Sequence, residues 1–441
     1  MNNLLKIFSN MKKWSFFSLL IVATQFSQAQ DMLTAEQAVA MVLQNNYSIL
    51  IAKNDNLITQ KNNTVGNAGM LPTVNATLGD NYSLTNLNQK YSNGQEINKN
   101  NVGGNNLSAA VNLNWTIFDG LKMFATKSKL KKMEEMGELQ FKEEVQNIVA
   151  KTITTYYDVV RANLQLKAAQ EGIQIAEERV KLTEMKFQVG SAGKTDWLQA
   201  RVDLNAQKSN LFNLKNTIEK RKSDLNMLLA RAVETTFEVE ETIPVNTSLT
   251  VNANAVEEKN LQLLSAIKQG EIAVQTKKEA FAGFLPNLRT NVGYSYGNAK
   301  SDAGFSLFNQ NYGLNAGFTL AIPLFNGLST IRQYKVAELQ ISSSKFAIDQ
   351  IRIQQKLNLV KASKDWNVTK QLLQLEVENS KLADENVTIA LERFRLGQST
   401  AIELREAQKS YEESNARLAN VRYQAKVAET ELLRLQSELV K

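Results

Sequence analysis

The chain has no cysteine and no histidine among its 441 residues, and only four prolines. Without cysteine there is no disulfide framework, no thiolate nucleophile and no acylated N-terminal Cys. Without histidine the commonest metal ligand and general base is also missing, so zinc sites and Ser-His-Asp or Cys-His arrangements fall together. Ten methionines are scattered along the chain, and with no His or Cys beside them a dedicated copper or silver route is disfavoured. No cofactor or metal is implied. Beyond residue 29 no apolar run approaches the ~18 residues of a spanning helix, so any passage through a membrane has to use strands.

Residues 1–29 read as a secretory signal peptide. They carry Lys6, Lys12 and Lys13 without an acid, then the apolar run Trp14 to Ala23, then Ser27-Gln28-Ala29 in a small-x-small pattern. Setting those three lysines aside lowers the formal charge from +7 to +4, a mild balance that gives no reason to expect a nucleic-acid partner.

The strongest pattern is the alternation from Leu107 to Phe118. Leu107, Ala109, Val111, Leu113, Trp115 and Ile117 are apolar, with Ser108, Asn112, Asn114 and Thr116 between them. Stretches 74–84, 288–296 and 312–322 alternate in the same way. Each runs about 11 residues. One such strand fits an ordinary sandwich. Here, however, the other faces are Asn, Ser, Thr and Gly, with Arg289 the only Lys or Arg in the four stretches. A tilted strand of about 11 residues rises ~28 Å, close to the apolar band of a membrane barrel. Four strands cannot close a barrel, and an open edge in lipid would leave backbone groups unpaired, so several chains must share one barrel.

The chain is one unit written twice. Ala68-Gly69-Met70-Leu71-Pro72 matches Ala282-Gly283-Phe284-Leu285-Pro286; Ile117 to Leu121 matches Leu324 to Leu328; Phe187 to Gly190 matches Phe394 to Gly397. The first repeat is assigned to 30–231, an irregular strap to 232–256 and the second repeat to 257–441. Each repeat reads helix, strand, loop, strand, long helix, turn, helix. The first helix is expected to open at Thr34 and end before Pro72, and 86–106 is read as a long polar loop. The long helix after Gly120 has some 70 residues, roughly 105 Å at 1.5 Å per residue. Its counterpart carries two apolar seams, Val336 to Val360 and Ile341 to Trp366, and two seams mean a neighbour on each side. A solid antiparallel bundle and a hollow ring of helices both fit this periodicity.

Gly190-Ser191-Ala192-Gly193-Lys194-Thr195 ends like a phosphate-binding loop, but Gln188 stands where its first Gly would be and charged helix precedes it. A nucleotide site is therefore not assigned.

The opening LTAEQAVAMVLQNN (33–46), the joints AGMLP, AGFLP, IFDG and LFNG, and the paired tips FQVGSAGKTDWLQARVDL (187–204) and FRLGQSTAIELREAQKSY (394–411) together resemble the TolC family of outer-membrane efflux channels. The resemblance covers nearly all of the chain beyond residue 29. It implies a mixed α and β membrane protein, a homotrimer whose chains each give four strands to a 12-stranded outer-membrane barrel. A long periplasmic helical barrel would continue it, opened at its tip by a periplasmic adaptor. It further implies a passive exit duct for a tripartite efflux pump or type I secretion system, energised by an inner-membrane pump and not itself an enzyme. By position, Asp196, Glu403 and Glu406 correspond to the periplasmic aperture, and Phe187, Gly190, Phe394 and Gly397 to the tip turns and adaptor contact. Phe394 and Ser399 replace the Tyr and Arg of the lock seen in the best-known member, so that lock is not assumed. Arg405, between the two glutamates, is expected to pair with a neighbouring helix. The competing reading is a trimeric adhesin or structural coiled coil without transport activity, which the two separate strand pairs argue against.

Overall fold

In the computed structural model, which describes residues 32–252 and 254–440, the sequence patterns resolve into fourteen elements. The order is β1 (Met32–Leu33), α1 (Ala35–Asn45), α2 (Tyr47–Asn62), β2 (Thr73–Lys90), β3 (Glu96–Phe118), α3 (Lys122–Gln188), α4 (Lys194–Leu228), β4 (Glu238–Val239), α5 (Ala255–Lys259), α6 (Leu261–Ala282), β5 (Asn287–Ser301), β6 (Phe308–Ala321), α7 (Ser329–Arg395) and α8 (Ala401–Leu435). The duplication is plain in the lengths: α3 and α7 each have 67 residues, and α4 and α8 each have 35. The signal-peptide segment 1–29 lies outside the described residues. No described helix is long and apolar enough to cross a membrane.

The four alternating stretches form one antiparallel sheet in the order β2-β3-β5-β6. Its register aligns like with like. Val74 pairs with Leu113, Leu113 with Val292 and Val292 with Ala316; the next row is Ala76, Val111, Tyr294 and Leu314; the next is Leu78, Ala109, Tyr296 and Tyr312. Between these rows run Asn75, Asn112, Gly293 and Asn315, then Gly79, Ser108, Gly297 and Asn311. One face is therefore apolar across four strands and the other is amide, hydroxyl and glycine. Leu78, Leu314 and Phe318 are over 70% exposed in the single chain, so among the described residues nothing covers them on this face. Among the described residues, neither β2 nor β6 has a partner along its outer edge.

Two expectations need correction. The segment 86–106 is not a loop. β2 and β3 continue as a paired ribbon to Lys90 and Glu96, past an irregularity between Thr85 and Leu87, and turn at 91–95. Nor does one helix run from Thr34 towards Pro72. Thr34 does form a capping box with Gln37, but α1 stops at Asn46, whose backbone is extended and whose Nδ2 donates to Leu228 O at 2.8 Å. A second helix then starts at Tyr47 and ends at Asn62.

The described chain divides into two compact units, each drawing on both halves of the sequence. The helical unit contains residues up to Asn46, Val149–Leu249 and Asp365–Thr430. Its apolar interior includes Tyr156, Val160, Leu225, Phe237, Leu404 and Ala425. Segment 232–252 has no helix; it is held by β4 pairing with β1, by Tyr156 Oη donating to Leu33 O and accepting from Glu240 N, and by Phe237 under the Arg231 guanidinium. Burial pushes the Tyr156 hydroxyl up to about 12, so it remains a donor throughout the physiological range.

The second unit contains Tyr47–Ile148, Thr250–Lys364 and residues from Glu431 onward. It holds the sheet and the helix segments that run into it. Here α7 shows its two seams differently. Gln355, Leu359 and Ala362 are buried, and Gly270 of α6 lies so close that an added Cβ would meet Ile348 Cδ1 at 3.1 Å. The other seam, Leu339, Phe346, Ile353 and Val360, is half to three-quarters exposed.

Candidate functional site

Both tips are built the same way. α3 and α7 end two residues before a glycine at φ +73 (Gly190) and +74 (Gly397). In the first, Gly190 N donates to Phe187 O and Ser191 N to Lys186 O; in the second, Gly397 N donates to Phe394 O and Gln398 N to Arg393 O. This pairing satisfies the last carbonyls of a helix and requires a left-handed residue. The next helix then starts within a few residues. Asp196 is the third residue of α4 and Glu403 the third of α8, the same place in the two repeats. Glu403 N donates to Thr400 Oγ1 at 3.2 Å. Both acids are exposed and lie where a carboxylate favours the positive end of a helix.

Of the seven residues expected at the tips, the structure brings Gly190, Gly397, Asp196 and Glu403 into the turns and first turns just described. Glu406 lies one turn beyond Glu403, and Arg405 Nη2 reaches its carboxylate at 3.3 Å. That corrects the expected pairing of Arg405 with a neighbouring helix: consecutive long side chains bent back towards each other suffice. Phe394 is corrected too. It is not presented as a contact surface but is 3% exposed, with the Lys186 ammonium 3.7 Å from its ring centre and donating to its carbonyl at 2.8 Å. Lys186 thus joins the C-terminal ends of α3 and α7, where a cation is favoured by the unpaired carbonyls. Phe187 is half-buried and stacks on Trp197 at 5.9 Å, with Arg201 over the indole at 5.3 Å.

Behind the tips lies a buried polar layer that the sequence reasoning missed. Arg179, 2% exposed, pairs with Asp203 at 2.7 Å. Tyr411 donates to Glu171 at 2.6 Å. Gln207 and Gln408 both donate to Glu412 Oε1, at 2.8 and 3.1 Å, and Gln408 also donates to Gly172 O. Burial pushes the Glu412 carboxyl above the usual carboxylate range. The Oε1 atoms of Gln207 and Gln408 have no donor. The signal was available only as polar residues at and beside the apolar seam of α8, Ser414 within the three-and-four spacing and Gln408 next to Ala407.

At the sheet's helix end, the joints are also duplicated. Gly120 and Leu121 stand at φ +72 and +71, Gly327 and Leu328 at +63 and +64. Gly120 is fixed twice over, since a Cβ there would lie 2.6 Å from Ala282 O and 2.8 Å from Leu285 Cβ. Asp119 caps α3 by accepting from Met123 N at 2.9 Å.

Comparison with known proteins agrees with this architecture. A family model described as "Outer membrane efflux protein" matches residues 38–231 and 252–436. The chain is 24% identical over 357 residues to outer membrane protein TolC of Escherichia coli, covering 76% of this chain and 69% of that protein. It is 22% identical over 235 residues to the alkaline protease secretion protein AprF of Pseudomonas aeruginosa, covering 51% and 48%. The solved structure of the outer membrane protein VceC from Vibrio cholerae superposes with a TM-score of 0.74 at 17% identity, over 91% of this chain and 95% of that one. With both repeats matched, the chain belongs to the outer membrane efflux protein family, a family of outer-membrane channels rather than enzymes.

Proposed function

We propose that three copies of this chain close a 12-stranded barrel and form a passive exit duct. The observation that carries this reading is the sheet: an apolar face continuous over four strands, with both outer edges unpaired. In hydrocarbon such edges must be paired, and only further strands can do it. The exposed seam Leu339, Phe346, Ile353 and Val360 supplies the matching helical contact to a second copy. The duct serves a tripartite efflux pump or a type I secretion system, its energy coming from an inner-membrane pump coupled through a periplasmic adaptor. The adaptor engages the tip turns around Gly190 and Gly397, and Asp196, Glu403 and Glu406 line the aperture that it opens. The test is a strain lacking this chain: it should accumulate a fluorescent efflux dye or retain an exported protease, and the intact gene should restore export. Unchanged export of both would overturn the reading.

A further inference from the structure

Arg289 is the one charged side chain on the polar face of the sheet between its helix end and mid-height, in a row with Thr116 and Thr319. It lines a cavity of about 780 Å³, together with Lys122, Lys129, Glu279 and Asp119. The two acids are already engaged. Glu279 accepts from Thr126 at 2.7 Å and pairs with Lys129 at 2.5 Å; Asp119 caps α3. Among the described residues, neither Lys122 nor Arg289 has an ion pair. Lys122 also lines an adjoining cavity of about 320 Å³, which adds Arg332, again without one. Three cations thus face open space in a region whose carboxylates are spent.

We infer that Lys122, Arg289 and Arg332 form an anion-binding collar on the polar side of the sheet at its helix end, suited to oxyanions bearing more than one charge. The inference rests on the duct reading, because closing three copies around an axis turns three cations into nine at the foot of the barrel lumen. The lumen above is uncharged amide and glycine, so nothing there offsets the field. With the Asp119 carboxylate also lining the cavity the collar is net positive, and a net positive ring between low-dielectric walls raises the local concentration of counter-ions by about 10- to 1,000-fold. The duct then has cations at the barrel foot, opposite in sign to the acids at its tip.

The experiment uses the full-length trimer in a planar bilayer at about 0.1 M salt, where the screening length is ~10 Å. Inorganic pyrophosphate is added on the side of the β-turns and the single-channel current recorded. The wild type should show voltage-dependent block, weakened at least about tenfold in K122Q/R289Q and lost at about 1 M salt. Heat-sensitive trimer migration and a retained single-channel conductance without pyrophosphate verify assembly of the variant. A conducting trimer blocked equally with and without the two cations, or not blocked at all, overturns the collar alone. A full-length chain that yields no trimer from outer membranes overturns the duct reading instead.

Discussion

At the scale of single residues, backbone handedness decides most. Gly190 and Gly397 take a left-handed conformation with no atom within 4 Å of where a Cβ would stand, so a substitution there is opposed by torsion alone, about 1 to 2 kcal/mol for an L residue. Gly190→Val or Gly397→Val should therefore unwind one helix end without touching the barrel. Dye export should fall to the level of the deletion strain while the trimer still fractionates with the outer membrane; loss of the trimer would mean that these glycines serve folding alone. The same turn is made at Ala230 and Ser437, at φ +53 and +55, and Ala230→Gly should raise the melting temperature for the same reason. Glu412 is governed by burial instead. Its folded-state carboxyl lies above its unfolded value, so its ionised form is disfavoured by folding: the favourable contribution is full below the unfolded value and is lost as pH rises through the raised one. Glu412→Gln removes that loss and offers an N–H to the donorless Oε1 of Gln207 or Gln408, a gain on the order of 1 kcal/mol at neutral pH. Thermal unfolding of the trimer at pH 5 and pH 8 measures it. The gap between wild type and variant should widen at the higher pH, and an equal shift at both would contradict the assignment.

At the scale of elements, the sheet makes the sharpest claim. Leu314 lies in the row of Ala76, Val111 and Tyr294, well inside the strands, and Leu314→Arg should cost about 2 to 4 kcal/mol in a bilayer. The same change at Asn112, on the opposite face, should be tolerated. Trp115 is a milder case, because its Nε1 donates to Met70 O at the helix-to-strand joint, near the interface where the penalty falls to about 0 to 1 kcal/mol. The yield of folded trimer in outer-membrane fractions tests all three, and equal tolerance on both faces would remove the barrel. These strands were legible because a bilayer on one side and water on the other write alternation into the sequence. Where β2 and β3 extend past Thr85 and Val102 there is water on both sides, alternation disappears among Asn, Gln and Lys, and the ribbon reads as a loop. The break at Asn46 was hidden for another reason: its partner, Leu228 O, lies 182 residues away. The tip turns were legible through their glycines and their repetition. The polar layer around Glu412 was not, since all of its bonds except that of Gln408 to Glu412 join segments distant in sequence.

At the scale of the whole molecule, the duplication allows one chain to present two kinds of surface. One seam of α7 is filled by its own chain and the other is exposed in the single chain. Three-fold closure would set six carboxylates from Glu403 and Glu406 around one axis. Their replacement by Gln should lower cation selectivity, read as a shift of reversal potential in a salt gradient, with little change in trimer stability. Arg405 beside Glu406 moderates that shift, so Glu403→Gln alone should carry more than half of it. The most direct test of the central claim is the mass of the complex extracted from outer membranes in mild detergent, measured before and after boiling. Three copies per particle, collapsing to one on heating, is the predicted result; a folded single chain in the same membranes, with β2 and β6 unpaired, would contradict it.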